Sequence, residues 1–118
     1  MIVSQASQVG ADKEQLACDY LQRQGLALVA RNYRCRRGEI DLVMREARTL
    51  VFVEVRFRRS ERFGTAAETV DIHKQRRLAA TAAHYLQHHP NRLACRFDVL
   101  ALGVGGRVDW IKDAFYAE

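Results

Sequence analysis

Residues Gly38 to Arg58 read GEIDLVMREARTLVFVEVRFR, and this run restricts the fold more than any other part of the chain. Two stretches of alternating apolar character flank Ala47 and Arg48, the pattern of an antiparallel hairpin. Pairing them across Ala47-Arg48 sets Ile40 opposite Val55, Leu42 opposite Val53 and Met44 opposite Val51. That face is wholly apolar and is expected to lie on the core. On the other face Val43 meets Phe52, Arg45 meets Leu50, Asp41 meets Glu54 and Glu39 meets Arg56. A slip of one residue would scatter the apolar set over both faces, so the pattern selects this register.

The pairing brings Asp41 and Glu54 together as cross-strand neighbours, with Cβ atoms about 5 Å apart. Like charges so placed repel, and folding has no need of them. A divalent cation between the carboxylates removes the repulsion. Mg²⁺ or Mn²⁺ suits two acids, water and a backbone carbonyl, here that of Val55 between Glu54 and Arg56. The plainer reading leaves both acids solvated on an exposed sheet face. Glu39 has its own plain reading, a salt bridge to Arg56. Glu14 shares a helical face with Ala17, Cys18 and Leu21, and Lys74 stands one turn before Leu78 on an inward face. Each alone is an edge residue with a buried stem. With the acidic pair they form a candidate cluster.

Around the hairpin, spacing predicts a helix over Ser7–Gln24, with Val9, Leu16, Tyr20 and Leu21 at helical intervals and Gly25 as its stop. A strand over Leu26–Asn32, a basic turn over Tyr33–Gly38 and strands over Glu39–Glu46 and Thr49–Arg58 follow. Ser60–Thr65 is a polar loop. A long helix over Ala66–His88 carries Leu78, Ala82, Tyr85 and Leu86 and ends before Pro90. Strands over Cys95–Leu102 and Arg107–Ile111 are joined by a glycine-rich turn. The order α-β-β-β-α-β-β is that of an α/β domain, a mixed sheet flanked by helices. With 118 residues, 48% of them apolar, the chain makes one domain.

No apolar run is long enough to span a bilayer, and the N-terminus lacks the zones of a secretory signal. Three widely spaced cysteines without a CxxC fit reduced thiols and a cytoplasmic protein better than disulfides or structural zinc. His84 and His88 lie four apart on one helix face. With no further ligand in a zinc motif, they read as cations near a helix C-terminus.

The net charge is +5, and the cations are 16 arginines against three lysines. Their clustering matters more than their number. Arg31, Arg34, Arg36 and Arg37 precede the hairpin, Arg56, Arg58, Arg59 and Arg62 follow it, and Arg76 and Arg77 come soon after. Guanidinium forks suit phosphate oxygens. The basic segments bracket the two acids, so Arg36, Arg37, Arg58, Arg59, Arg76 and Arg77 are the candidate contacts to a polyanion, nucleic acid first.

The spacing D-(x)12-E-x-R after a helix bearing Glu14 resembles the PD-(D/E)XK nuclease superfamily. The ordered segments GEIDLV, VFVEVR, FGTA, a K-x-x-R in the second helix and RFDV resemble, more closely, the bacterial YraN family, which is related to archaeal Holliday-junction resolvases. The resemblance implies a restriction-endonuclease-like fold and a Mg²⁺- or Mn²⁺-dependent endonuclease acting on branched or structured DNA, with DNA ranked ahead of RNA as the partner. It implies Asp41 and Glu54 as metal ligands, Glu14 as an outer acid and Lys74 as a supporting helix cation. Arg56 then stands where the superfamily carries a catalytic lysine. Arginine stays charged and cannot act as a base, but it can orient water or stabilise charge on the phosphate. A non-catalytic nucleic-acid-binding module that keeps the fold is the alternative. Paired incision of a branched substrate needs two sites, which implies a symmetric homodimer.

Overall fold

The computed structural model describes residues 5–58 and 70–116, with side chains in the first helix from Asp12 onward. The elements are α1 (Gln5–Arg23), β1 (Ala27–Cys35), β2 (Gly38–Glu46), β3 (Thr49–Arg58), α2 (Ile72–His88), β4 (Ala94–Gly103) and β5 (Val108–Phe115), with a short 3₁₀ turn before β5. This is the expected order. The five strands form one sheet in the order β1-β2-β3-β4-β5, with α2 as the crossover between the parallel pair β3 and β4. The other pairs are antiparallel. No helix among the described residues is long and apolar enough to cross a membrane.

Two cores lie on opposite faces of the sheet. Ala17, Cys18 and Leu21 of α1 pack on Leu42, Met44, Val51, Val53, Val55 and Leu100. Leu78, Ala82 and Tyr85 of α2 pack on Val43, Phe52, Phe97 and Val99. β3 is buried on both faces, which accounts for its nearly continuous apolar sequence. Each fully buried Leu or Val contributes about 1.5–3 kcal/mol. Leu16, expected on the apolar stripe of α1, is instead 59% exposed.

The hairpin register holds from Glu46/Thr49 to Leu42/Val53. Ala47 takes φ 52°, the positive value that a tight two-residue turn asks of its first residue. Beyond Leu42 the expected alternation fails. Ile40 belongs to the α2 face, not to the α1 face with Leu42 and Met44. The cause lies on β1, where Asn32 is left-handed at φ 54° between the pairs Arg31/Leu42 and Tyr33/Ile40. Arg31 reaches α1 at Gln15 (2.8 Å), whereas Tyr33 packs on Tyr85 of α2. Both strands therefore change face at one level, and Asp41 sits at that level.

Other boundaries shift for local reasons. β1 continues to Cys35, so the basic turn shrinks to Arg36 and Arg37. α2 begins at Ile72 rather than Ala66. Asp71 is extended and accepts the Lys74 N–H at 2.9 Å, which makes it the N-cap. The loop Ser60–Thr65, Arg59 and the stretch Ala66–Thr69 lie outside the described residues. At Gly38 an added Cβ would come within 3.1 Å of the Thr81 hydroxyl, so this glycine lets β2 start directly beneath α2.

Candidate functional site

Where β2 parts from β3, its side chains meet groups that the paired hairpin would have kept apart. The Val55 N–H donates to Asp41 Oδ2 at 2.8 Å. Strand N–H groups point in the plane of the sheet, so the Asp41 carboxylate occupies the gap between the strands, where a carbonyl of β2 would otherwise lie. In an extended strand, a residue's C=O leaves on the same side as its N–H. The Val55 carbonyl therefore faces this same gap.

From the gap Asp41 meets acids of both layers. Glu14 and Glu39 bring carboxylate oxygens within 4.8 Å of its own and of each other. On the other side Glu54, only 6% exposed, extends from β3 on the α2 face. Burial pushes the Asp41 carboxyl up to about 7, with the Glu54 and Glu14 charges adding to the rise and the Val55 hydrogen bond opposing it. The proximity of Asp41 and Glu54 expected from the sequence is present, but through a splayed strand rather than a direct pair.

Lys74 stands where its helical spacing placed it. Its Nζ lies 2.9 Å from Glu54 Oε1, and it is held there by the first turn of α2. Arg56 Nε lies 3.9 Å from the same oxygen; it is buried without a hydrogen-bond partner among the described residues. A buried N–H without an acceptor costs about 1–3 kcal/mol, which the Glu54 charge 3.9 Å away offsets in part. The expected Glu39–Arg56 bridge does not form. Glu39 pairs with Arg34 on β1 at 3.4 Å, because β2 has left β3 before Glu39 is reached.

Asp41, Glu39, Glu54 and Lys74 line a cavity of about 440 Å³ whose rim includes Arg36, Arg37 and Arg77. Of the expected phosphate contacts, these three are at the site. Arg76 is exposed and is not on the rim, and Arg58 at the end of β3 does not line the cavity. Cys35, which the sequence did not mark as a site residue, lines it too. Burial would raise this thiol. Hydrogen bonds from the Arg37 N–H, the Thr81 hydroxyl and the Gly38 N–H, with the Arg37 charge, bring it below its ordinary value. The one available signal was its place directly before Arg36-Arg37. All three cysteines are free thiols.

The donor set fits a hard divalent cation. The acids whose oxygens lie within 4.8 Å of one another are Glu14, Glu39 and Asp41, and among the described residues no thiol or imidazole joins them; such hard oxygen donors are what Mg²⁺ or Mn²⁺ takes. A carboxyl raised by burial and, secondarily, by the Glu54 and Glu14 charges is also one that a cation would return to its charged form.

The comparisons with known proteins agree over nearly the whole chain. Residues 13–102 match the model of the Uncharacterised protein family UPF0102. A UPF0102 protein of Nitrosomonas europaea is 51% identical over 116 residues, covering 96% of this chain and 98% of the relative. A second from Ralstonia nicotianae is 53% identical, over 96% of this chain and 90% of its own. A third from Methylococcus capsulatus is 50% identical, over 92% and 91%. The matched span runs from α1 to the end of β4 and contains every acid and cation of the site, so this chain belongs to the UPF0102 family.

Proposed function

We propose that this protein is a Mg²⁺- or Mn²⁺-dependent endonuclease of the PD-(D/E)XK kind, in its YraN branch, hydrolysing phosphodiester bonds in branched or otherwise structured DNA. The observation that carries the reading is the convergence of Asp41, Glu54 and Lys74 on one cavity with an arginine rim. Asp41 and Glu54, with the Val55 carbonyl, would hold the cation. A bound divalent cation lowers the pKa of water and neutralises charge on the phosphate. Around it the chain supplies position and charge. Arg36, Arg37 and Arg77 receive the phosphates at the rim. Lys74 fixes the Glu54 carboxylate. Arg56 does not line the cavity and its Nε is buried beside Glu54, so it would act as a positive charge behind that carboxylate, and its permanent charge rules it out as a base.

Labelled duplex, forked and four-way-junction DNA incubated with Mn²⁺ tests the reading. Cleavage is expected with the metal and not in EDTA. Asp41→Asn and Glu54→Gln should each reduce it at least 100-fold, as loss of an electrostatic group of this kind does. Arg56→Ala should reduce it sharply while Arg56→Lys retains or raises it. A wild type that binds these DNAs and cuts none of them with either metal would instead establish the non-catalytic binding module.

A further inference from the structure

α2 has an unusual composition for an exposed helix. From Ile72 to Phe97 the sequence holds no aspartate or glutamate, yet it contains all four histidines of the chain. A helix kept in water by charge alone has no reason to exclude one sign. The residues fall on one face. Lys74, Arg77, Thr81, His84 and His88 are separated by three or four positions, which stacks them along a single stripe.

The contacts of this stripe give its course over the sheet. Lys74 touches Glu54 of β3, Arg77 and Thr81 lie over Gly38 at the start of β2, and His84 hydrogen-bonds the Tyr33 hydroxyl of the edge strand β1. The stripe thus leads from the acidic cavity across β2 to the sheet edge, a length of about 21 Å for its 14-residue span. Its far end is built of rings. His84 and His88 are stacked with centroids 4.2 Å apart, and Tyr85 and His89 are stacked at 4.5 Å. Tyr33 stands edge-on to Tyr85 and to His89. His88 donates its Nδ1–H to the His84 carbonyl at 2.8 Å, which fixes its ring. His88 and His89 are exposed.

We propose that this stripe is a binding track for an unpaired DNA strand leaving the cleavage site. The arginines of the rim hold its phosphates, and the ring platform of Tyr33, His88 and His89 stacks its bases. The proposal deepens the nuclease reading and rests on it for the polarity of the track, from cavity to sheet edge. A duplex buries its base faces and has nothing to offer the rings. Cations alone would serve duplex and single strand alike, so the platform distinguishes the two.

Fluorescence anisotropy in EDTA, with a labelled twelve-nucleotide oligothymidylate and a twelve-base-pair duplex, tests the track without cleavage. His88 and His89 are exposed and belong to neither core; because His89 stacks on Tyr85, a thermal melt of the double variant His88→Ala/His89→Ala checks that its fold is kept. The variant should weaken oligothymidylate about fivefold or more, as losing one stacked base does, and leave duplex affinity within twofold. Photocrosslinking of 5-iodouracil placed along the oligonucleotide should label Tyr33, His88 or His89. Unchanged oligothymidylate affinity in the double variant, an equal loss on both DNAs, or crosslinks confined to other residues would overturn the track. Failure of the nuclease reading gives a separate result: wild type then binds the single strand through the platform and cuts nothing with Mn²⁺.

Discussion

At Asp41 a carboxyl group is buried beside three other acids, Glu14, Glu39 and Glu54, and its proton belongs to the folded state. Its folded value is about 7 against an ordinary 3.8. Between these values the folded protein holds a proton that the unfolded chain has released. The stability contributed by this group is therefore complete below about pH 4 and is lost as pH rises through about 7. Thermal melts in EDTA should show the melting temperature falling between about pH 5 and pH 8. Asp41→Asn removes the titration while its side-chain oxygen still accepts the Val55 N–H. That variant should be the more stable protein at pH 8 and should lack the slope. Mn²⁺ should restore the wild type at pH 8 and leave the variant unmoved. A wild-type melting temperature flat across this range would mean that burial and the neighbouring acids do not raise Asp41.

At the scale of elements, the β4–β5 pair depends on one acid that the sequence showed only as part of RFDV. Asp98 is 1% exposed and lies where the ladder shifts register between Phe97 and Val99. Its carboxylate accepts from Arg96 Nε (2.9 Å), Trp110 Nε1 (2.9 Å) and the Asp113 N–H (2.9 Å), the last from a residue at φ 53°. Arg96 in turn donates to Glu46 at 2.9 Å, which ties β4 to the hairpin end of β2. Asp98→Ala leaves the Trp110 indole N–H and the Asp113 N–H without their acceptor while Arg96 keeps Glu46, and should cost about 1–3 kcal/mol in urea unfolding. The same elements show what was legible beforehand. Alternation fixed the hairpin register and helical spacing put Lys74 inward, because both follow from local periodicity. The change of face at Asn32 and Asp41 was not legible, since one left-handed residue on β1 redirects its partner strand and leaves no mark in that strand's pattern. The same break hid the Glu39–Arg34 pair. Asp98 was hidden for another reason: its donors come from Trp110 and Asp113, which only the folded bulge of β5 brings to it.

For the molecule as a whole, the net charge of +5 says less than its placement. Lys74 and Arg34 pair directly with Glu54 and Glu39, while Arg36, Arg37 and Arg77 stand around the rim of the acidic cavity. A polyanion reaching the site would meet the arginines first and the carboxylates only where a cation covers them. Affinity for duplex DNA should accordingly fall steeply with salt and depend little on sequence, as counterion release requires. Arg36 and Arg37 are exposed on a two-residue turn, so Arg36→Ala/Arg37→Ala removes charge without touching either core. If each meets one phosphate, a log–log plot of affinity against salt should lose about two units of slope in this variant. Arg76→Ala, one residue from Arg77 but off the rim, should leave the slope near that of wild type. Equal slopes for wild type and the turn variant would place the phosphate contacts elsewhere on the surface, and the rim would then have to be read as a screen for its own acids.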